Sequence, residues 1–338
     1  MTTKMNALVY HGKEQVSYEE VEKPVVEQGE VLIQVKFAGI CGSDMGVFAG
    51  KHPRATAPLI MGHELSGVVA LTNDAGDVEV GDRVTINPLI RCGTCHPCLE
   101  GNSHVCRNLG LVGIDTDGGF AEFVKVSSEK VVKIPDELSL ETASLIEPLA
   151  VTVHAVRKSE FKAGDNVVVI GGGPIGMLTA MTARLAGAQK VMIIEVSKNR
   201  QVFAREQGFT VIDALDNPTK KVLEYTNGRG ADIVYEVAGV KQTALLSTEL
   251  VKITGQVVIV SVFKEPVNVD LQGLNFRELS MIGVRVYTDK DYEAATDIIA
   301  KHPEIASIIT HKLPLSEGRR GFEMMREATD AMKILLCP

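Results

Sequence analysis

Hydrophobic residues follow two different patterns along this chain, and the change falls near residue 150. In the first part, short segments rich in Val and Ile are interrupted by Gly, Pro and Asp, as in "EVLIQVKFAG", "GVVALT" and "DRVTI". Short β-branched segments that end at turn residues are typical of strands. This part of the chain therefore predicts an irregular, mostly β domain.

From about residue 154, apolar strands alternate with helical stretches. The pairs are "NVVVIGGG" with "PIGMLTAMTARLAG", "KVMIIEV" with "SKNRQVFAREQG", and "ADIVYEVAG" with "QTALLSTELVK", after which "GQVVIVSVF" supplies a further strand. Continuous apolar strands separated by helices predict βαβ units, in which a parallel sheet is covered on both faces. The second pattern thus predicts an α/β domain.

The last stretch, from about Thr288, contains two helical patterns and a closing strand. The patterns are "DYEAATDIIAKH" and "EGRRGFEMMREA", and the strand is "KILLC". These residues are too few to form a core of their own. We therefore expect them to pack back onto one of the two domains.

Composition and charge exclude several classes of protein. The chain has 338 residues, more than one core usually sustains, which agrees with two domains. Its formal net charge of −8 argues against a nucleic-acid partner, because phosphate binding needs clustered Lys and Arg. No opening segment has the pattern of a signal peptide, and no window approaches the roughly 18–20 apolar residues of a membrane span. We expect a cytoplasmic protein with no membrane contact.

A glycine-rich turn joins the first strand and helix of the α/β domain. The residues fit G-x-G-x-x-G, with a strand before the turn and a helix after it: Gly171, Gly172, Gly173, Pro174, Ile175 and Gly176. Gly171 permits the tight turn, Gly173 lets the backbone approach a pyrophosphate, and Gly176 lets helix and strand pack closely. The N–H groups at the helix N-terminus are then free to bind the anion. This motif predicts a dinucleotide-binding Rossmann domain.

An acidic residue after the next strand indicates which dinucleotide binds. Glu195 ends "VMIIE", where a carboxylate can accept hydrogen bonds from the adenosine ribose. The same charge repels a 2′-phosphate, which favours NAD over NADP. Arg200 is the counterargument, because a guanidinium just past this position can pair with that phosphate. The alternative for Arg200 is a solvated helix residue that stacks near the adenine.

Four of the six cysteines lie within one short loop and have the spacing C-x2-C-x2-C-x7-C: Cys92, Cys95, Cys98 and Cys106. In a reducing compartment, such a cluster favours metal over disulfides. Four thiolates close a tetrahedral zinc site and leave no open position for substrate, so we predict a structural zinc there. An iron–sulfur cluster is the competing interpretation. His96 and His104 lie in the same loop and could substitute as ligands, but we expect them to be solvated.

A catalytic metal would need ligands from separate segments and one open position. "GICGSD" supplies Cys41, and "MGHELSG" supplies His63 and Glu64. A lone cysteine is usually a buried apolar residue, so each segment by itself is weak support. Their combination with the cysteine loop and a dinucleotide fold favours a second metal site. A redox sensor or structural zinc protein without turnover is the alternative from another class.

The ordered motifs resemble those of the zinc-dependent medium-chain dehydrogenase/reductase family, which includes alcohol, sorbitol, threonine and butanediol dehydrogenases. The matching segments span nearly the whole chain: "GICGSD", "GHELSGVV", "VGDRV", the cysteine loop, "DGGFAEF", "LIEPLAVTVHAV", "VIGGGPIG" and "VMIIE". The resemblance implies a GroES-like β catalytic domain over residues 1–153, with 288–338 packing back onto it. A Rossmann NAD-binding domain over 154–287 is inserted between these parts. It also implies a homodimer or homotetramer.

The same resemblance implies two zinc ions per chain, one of them catalytic. Cys41 and His63 would ligate the catalytic zinc, and Glu64 would bind it directly or support a ligand. Glu147, in the "EP" that similar polyol dehydrogenases carry, would approach the metal directly or through water. The alternative for Glu147 is an N-cap or a charged helix start, because Glu-Pro is common there.

The resemblance also implies a mechanism, in which zinc favours loss of the alcohol proton and hydride then passes to the nicotinamide. Ser43 is placed like the family's relay hydroxyl. Many relatives have a histidine five residues after the ligand cysteine, whereas this chain has Gly46. The relay would then continue through the ribose, Glu147 or water.

Arg285 and the aromatic content of the chain bear on the class of substrate. Arg285, in "MIGVRVYTDKDY", lies near a polar segment of polyol and sugar-acid dehydrogenases, and a guanidinium can hold a hydroxyl-rich or carboxylate substrate. The alternative for Arg285 is a salt bridge at a subunit contact. The chain has no Trp and few aromatic residues, which favours a polar substrate. We therefore predict a polyol or sugar acid, with (R,R)-butanediol or another small secondary alcohol as the alternative.

Overall fold

The computed structural model describes residues 3–327 and 331–338. The chain divides into two compact units, one formed by Met1–Pro148 with Thr288–Pro338 and the other by Leu149–Tyr287. The domain boundary predicted from the sequence, after residue 153, falls inside the helix Ile146–Lys158.

The strands are short and numerous in the first unit and regular in the second. In chain order they are β1 Lys4–Gly12, β2 Gln15–Glu22, β3 Glu30–Gly39, β4 Leu59–Ile60, β5 Glu64–Asn73, β6 Arg83–Ile86, β7 Leu89–Ile90, β8 Gly110–Leu111, β9 Phe123–Ser127, β10 Val131–Lys133, β11 Asn166–Ile170, β12 Lys190–Glu195, β13 Thr210–Asp213, β14 Ala231–Glu236, β15 Val251–Ile259, β16 Ser280–Gly283, β17 Ile309–Pro314 and β18 Lys333–Cys337.

The helices fall mostly in the second unit and the C-terminal segment. They are α1 Gly42–Phe48, α2 His96–Leu99, α3 Leu140–Ala143, α4 Ile146–Lys158, α5 Pro174–Leu185, α6 Lys198–Glu206, α7 Pro218–Tyr225, α8 Lys241–Leu250, α9 Leu271–Phe276, α10 Asp289–Lys301 and α11 Gly318–Glu327. Within the described ranges, none of these helices has the length and apolar character needed to cross a bilayer.

The first unit is built on a seven-stranded sheet and a smaller three-stranded sheet. The larger sheet has the order β10-β6-β5-β3-β18-β17, with β9 also paired to β3, and the smaller one has the order β2-β1-β4. Strand β18 pairs antiparallel with β3 and parallel with β17, so the C-terminal segment completes the larger sheet. This largely antiparallel architecture agrees with the expected GroES-like β domain.

The register between β3 and β5 brings two distant segments together. Gly39, the last residue of β3, lies opposite Glu64, the first residue of β5. Cys41 follows β3 closely and His63 immediately precedes β5, so this register places both beside the same sheet end. A Cβ on Gly39 would collide with the Glu64 carboxylate, which explains the small residue there.

The aromatic core of the first unit supports this end of the sheet. Phe48 from α1 stacks on Phe322 from α11 with ring centroids 4.9 Å apart, and Phe120 meets Phe322 edge-on at 6.1 Å. All three rings are buried. The helix that carries the residues after Cys41 is therefore anchored to the C-terminal segment by direct packing.

The second unit contains one parallel sheet of six strands. Its order is β13-β12-β11-β14-β15-β16, the strand order of the doubly wound dinucleotide-binding fold. Each residue of β11 is buried, as expected for a central strand covered on both faces. The predicted fold class, α/β with a GroES-like domain and a Rossmann domain, is confirmed.

Candidate active site

A buried group of three potential metal ligands lies at the end of β3 and the start of β5. The sulfur of Cys41, a ring nitrogen of His63 and a carboxylate oxygen of Glu64 all lie within 4.8 Å of one another. His63 and Glu64 are buried, and Cys41 is partly exposed. The structure therefore brings together three of the residues that sequence reasoning selected for the catalytic metal.

Asp44 and Ser43 orient the His63 ring from its two sides. Asp44, which is fully buried, accepts the backbone N–H of Cys41 at 2.8 Å and has its other oxygen 3.5 Å from His63 Nδ1. The Ser43 hydroxyl lies 3.2 Å from His63 Nε2. A carboxylate on one ring nitrogen commonly orients the other nitrogen toward a metal. Sequence reasoning missed Asp44, although "GICGSD" contains it.

Lys333 fixes the Glu64 carboxylate. This buried lysine of β18 has its Nζ 2.5 Å from Glu64 Oε2 and donates to the carbonyl oxygen of Ile40 at 3.2 Å. Glu64 Oε1 is also buried and has no hydrogen bond within the described part of the chain. A buried, unbonded carboxylate oxygen beside Cys41 and His63 fits a metal ligand. Lys333 was missed as well; a lysine in the apolar run "MKILLC" is its one sequence signal.

The charges around this group favour a cation. Burial alone disfavours the imidazolium of His63, but Asp44 and Cys41 outweigh it and raise the pKa of His63 well above its ordinary value. Burial likewise opposes the charge on Lys333, yet Glu64 and Cys41 raise its pKa. A field that stabilises protonated bases in a buried site also stabilises a divalent ion. The donor set of thiol, imidazole and carboxylate suits zinc.

Glu147 belongs to the same electrostatic neighbourhood. It lies in the first turn of α4 and is buried, and its charge helps to raise the pKa values of both His63 and Lys333. Its oxygens are not in the group whose atoms lie within 4.8 Å of one another, as far as the described residues go. Because α4 begins at Ile146, Glu147 does not precede the helix as an N-cap, but it is the acidic residue of the first turn, as the alternative of a charged helix start expects.

The cysteine loop forms a second group of ligands. All four thiols are free and their sulfurs lie within 4.8 Å of one another; neighbouring sulfurs of Cys92 and Cys106, Cys95 and Cys98, and Cys95 and Cys106 are 3.4, 3.5 and 3.8 Å apart. A tetrahedral zinc with bonds of about 2.3 Å holds its sulfurs about 3.8 Å apart. The loop therefore fits a closed four-thiolate site.

Local backbone geometry prepares this loop for metal binding. The backbone N–H groups of Thr94 and Cys95 lower the pKa of Cys92 to about 6. Thiolate, the form that binds metal, is thereby favoured at Cys92, whereas burial raises the pKa of Cys98 to about 12. Neither histidine of the loop joins the four sulfurs among the described residues. His96 is exposed and faces Glu100 at 3.2 Å.

The glycine-rich turn has the geometry of a dinucleotide loop. Gly171 has φ of 106°, a conformation that favours glycine, and a Cβ on Gly176 would collide with the Gly171 carbonyl oxygen. Gly173 precedes α5 as its N-terminal cap residue, and Pro174 and Ile175 are the first residues of the helix. The free N–H groups of this helix end can receive an anion.

Glu195 and Arg200 both lie against this turn. The Glu195 carboxylate accepts backbone N–H groups from Gly172, Val196 and Ser197, each at 2.7 Å. A carboxylate has about four acceptor positions, so one remains for a ribose hydroxyl. Arg200 is partly buried, and a Cβ on Gly173 would lie 3.5 Å from Arg200 Nη1.

Arg285 lies shortly after β16, at the carboxyl end of the parallel sheet. Its side chain is exposed. Ligands of doubly wound folds bind outside the carboxyl ends of the strands, so this position is compatible with contact to a bound molecule.

The β domain carries one group of four thiols and one group of a thiol, an imidazole and a carboxylate, and the parallel sheet carries a dinucleotide loop. These features define a zinc-type dehydrogenase as the class of protein. Residues 27–136 match the family "Alcohol dehydrogenase GroES-like domain", and residues 174–301 match "Zinc-binding dehydrogenase". The chain belongs to the zinc-dependent medium-chain dehydrogenase family and is an oxidoreductase of the alcohol and polyol dehydrogenase type. The resemblance found in the sequence is confirmed.

Curated relatives match over nearly the whole chain. The chain is 34% identical to 2-dehydro-3-deoxy-L-galactonate 5-dehydrogenase of Pseudoalteromonas atlantica, covering 98% of each. It is 33% identical to (R,R)-butanediol dehydrogenase of Bacillus subtilis, covering 99% of this chain and 100% of the relative. It is 34% identical to sorbitol dehydrogenase of Halalkalibacterium halodurans, covering 99% of both.

Solved structures have the same fold at full length. The 2R,3R-butanediol dehydrogenase of Bacillus subtilis superposes with a TM-score of 0.92 at 32% identity, covering 99% of both chains. A zinc-binding dehydrogenase of Sinorhizobium meliloti, bound to NADP, superposes with a TM-score of 0.93 at 33% identity, covering 100% of both.

Proposed function

We propose that this protein transfers a hydride between NAD(H) and a secondary alcohol or ketone, and that the substrate is a polyol or a sugar acid. The observation that carries the proposal is the buried group formed by Cys41, His63 and Glu64, with ligand atoms within 4.8 Å of one another. Zinc bound there supplies Lewis-acid polarisation of the substrate oxygen, and the dinucleotide supplies the hydride carrier. Three protein ligands leave a fourth position for substrate.

The chain's own residues prepare this chemistry. Asp44 Oδ1 lies 3.5 Å from His63 Nδ1, and the Ser43 hydroxyl lies 3.2 Å from His63 Nε2. In the proposed mechanism, Ser43 would accept the proton of a substrate hydroxyl that lies beside His63. Gly46 offers no imidazole to continue the relay, so the proton leaves through the cofactor ribose, Glu147 or water.

NAD is proposed over NADP because of Glu195. Its carboxylate is fixed by three backbone N–H groups and retains one acceptor position for the ribose. A 2′-phosphate would meet this negative charge at close range. Arg200 lies beside Gly173 at the start of α5, so we assign its charge to the pyrophosphate.

Two zinc ions per chain are proposed, one in each ligand group. The four sulfurs of the cysteine loop support a structural ion, because a closed thiolate set leaves no position for substrate. An iron–sulfur cluster would use the same four thiolates and would give the protein a visible absorption that zinc does not.

The names of the relatives support a hydroxyl-rich substrate. They include a sugar-acid dehydrogenase, a sorbitol dehydrogenase and a D-arabitol-phosphate dehydrogenase. We assign Arg285 to a carboxylate or hydroxyl of the substrate. The butanediol dehydrogenase, similar in sequence and fold, favours small secondary alcohols as the second candidate. A panel of sorbitol, sugar acids and 2,3-butanediol, followed by NADH absorbance, separates the two.

A homodimer or homotetramer in the cytoplasm completes the proposal. The six cysteines are free, as a reducing compartment requires. Strand β16 is the edge of the parallel sheet and presents unpaired backbone groups to which a second copy can add. No nucleic acid or membrane partner is proposed, because the net charge of −8 opposes both.

The decisive experiment replaces the thiol ligand. We expect Cys41→Ser to lower turnover about a thousandfold, because polarisation of the substrate oxygen is lost. Zinc content should fall from about two to about one per chain, while NADH still binds. Cys337→Ser, which removes a partly exposed thiol of β18, is the matched control and should change none of these quantities. Appreciable turnover by a zinc-depleted Cys41→Ser variant would refute the mechanism.

A further inference from the structure

The dinucleotide domain contains a second buried carboxylate besides that of Glu195. Glu236 is the last residue of β14 and is completely shielded from solvent. Its Oε1 accepts hydrogen bonds from the N–H groups of Ala238 at 3.1 Å and Gly239 at 2.9 Å, and from the Thr243 hydroxyl at 2.7 Å. Its Oε2 accepts the hydroxyl of Ser261.

The partners of Glu236 belong to three separate elements. Ala238 and Gly239 lie in the loop after β14, Thr243 lies in the first turns of α8, and Ser261 follows β15. Each of these four donors is a neutral N–H or O–H group. A buried carboxylate is costly unless it is fully hydrogen-bonded, so its presence here is explained by the loops that it joins.

The joined loops lie directly beside the glycine-rich turn. A Cβ on Gly171 would lie 3.2 Å from the backbone nitrogen of Ala238, and Val237 donates its N–H to the carbonyl oxygen of Ile170 at 3.0 Å. On the other side, a Cβ on Gly239 would lie 3.2 Å from the Ser261 Cβ. Residues 237–239 are therefore enclosed between the nucleotide turn and the end of β15.

The strand order assigns these loops to one half of the cofactor. In this fold a dinucleotide lies across the sheet at the point where the strand order reverses, with each half over one set of strands. The order β13-β12-β11-β14-β15-β16 puts Glu195, the ribose-binding candidate, on the β12 side. The loops after β14 and β15 then lie on the nicotinamide side.

We propose that Glu236 is a positioning residue for the nicotinamide half of the cofactor. The inference rests on the proposed dinucleotide function and adds a role for a residue that need not touch the cofactor. The hydrogen bonds of Glu236 hold the ends of β14 and β15 and the start of α8 in one fixed arrangement. The backbone of residues 237–239 and 260–262 would then contact the nicotinamide riboside in a conformation that exists before binding. No affinity is lost to ordering these loops.

The test compares the affinity for NADH, which contains both halves of the cofactor, with the affinity for AMP, which contains only the adenosine half. Glu236→Ala, Glu236→Gln and Ser261→Ala are each measured for NADH affinity by fluorescence, AMP affinity by calorimetry and unfolding temperature. Asp232→Asn is the matched control. Asp232 also accepts hydrogen bonds and pairs with Lys252, but it lies near the amino end of β14.

We expect Glu236→Ala to weaken NADH binding about tenfold while AMP affinity changes less than about twofold. The amide of Glu236→Gln can keep the three donors on Oε1, and the Ser261 hydroxyl can turn to accept from its NH₂, so most of the affinity should return. Ser261→Ala should weaken NADH binding about threefold. Asp232→Asn should change neither the NADH affinity nor the AMP affinity.

Two results would overturn the proposal. One is an unchanged NADH affinity in a folded Glu236→Ala variant, and the other is an equal loss of NADH and AMP affinity, which would indicate general loosening of the domain. If Glu236→Ala does not fold, Ser261→Ala decides by the same criteria. Failure of the unmodified protein to bind NADH would instead overturn the proposed function itself.

Discussion

At the scale of single residues, the molecule depends on charged side chains that lie where apolar ones are expected. Lys333, Asp44 and Glu236 are each almost completely buried, and each holds another functional group in place. Motif spacing found the cysteines, histidine and glycines because those residues act directly. Asp44 lies within "GICGSD", but the motif spacing gave it no role; Lys333 and Glu236 are indicated only by a charged residue at an apolar segment.

Replacing Lys333 should reveal how much the metal site depends on it. In Lys333→Met the buried Glu64 carboxylate loses its cation, which should cost the metal-free protein about 3–5 kcal/mol of unfolding free energy. Zinc affinity at the Cys41 group should fall about 10–100-fold, because Glu64 is no longer oriented. Competition with a chromophoric chelator measures the affinity, and denaturant unfolding measures the stability.

Lys333→Arg is the conservative comparison. It keeps a positive charge beside Glu64 and should recover most of the zinc affinity, although its planar head cannot reproduce both contacts of the ammonium. If Lys333→Met binds zinc as tightly as the unmodified protein does, Lys333 is not needed to orient Glu64.

At the scale of elements, local patterns predicted most of the second unit but could not pair distant strands of the first. Adjacent residues indicated β11, β12, β14 and β15 and the helices α5, α6 and α8, whereas the short elements β13, α7 and α9 were not predicted. By contrast, the pairing of β18 with β3 joins segments almost 300 residues apart, and no local period encodes it. The contacts of Lys333 follow from that pairing, so they could not be predicted.

The turn between β12 and α6 should determine the choice of cofactor. Glu195→Ala removes the carboxylate that would repel a 2′-phosphate, and it leaves the N–H groups of Gly172, Val196 and Ser197 without their acceptor. We expect NAD affinity to fall about tenfold and the preference over NADP to shrink or reverse. Steady-state kinetics with both cofactors measures this.

Asp213 supplies the control for that experiment. It ends β13, the neighbouring strand, and pairs with Lys198. Asp213→Ala removes an acid from the same edge of the sheet, yet it should leave the preference between NAD and NADP as it was. A preference that is also unchanged in Glu195→Ala would show that the ribose contact is assigned to the wrong residue.

At the scale of the whole molecule, each unit has its own hydrophobic core, and some large apolar side chains lie outside both cores. Leu271 and Phe276 of α9 are 72% and 76% exposed, and α9 directly precedes the edge strand β16. Exposed apolar groups next to an unpaired strand edge are typical of an interface. They agree with the proposed homo-oligomer.

A charge at this surface should separate the subunits. We expect the unmodified protein to have the mass of a dimer or tetramer by light scattering, and Phe276→Glu to shift it to a smaller species, because the added carboxylate would be buried on association. Val25→Glu is the matched control, since Val25 is 80% exposed in the first unit. A monomeric unmodified protein would contradict the assembly.

The completion of the first sheet by β18 has a consequence during translation. Lys333, the partner of Glu64, is synthesised 269 residues after it. All the residues of the second unit emerge from the ribosome within that interval, so the Rossmann domain can finish folding first. The group formed by Cys41, His63 and Glu64 meanwhile contains a carboxylate without its cation, so we expect the arrangement that Lys333 supports to form only after β18 has been synthesised.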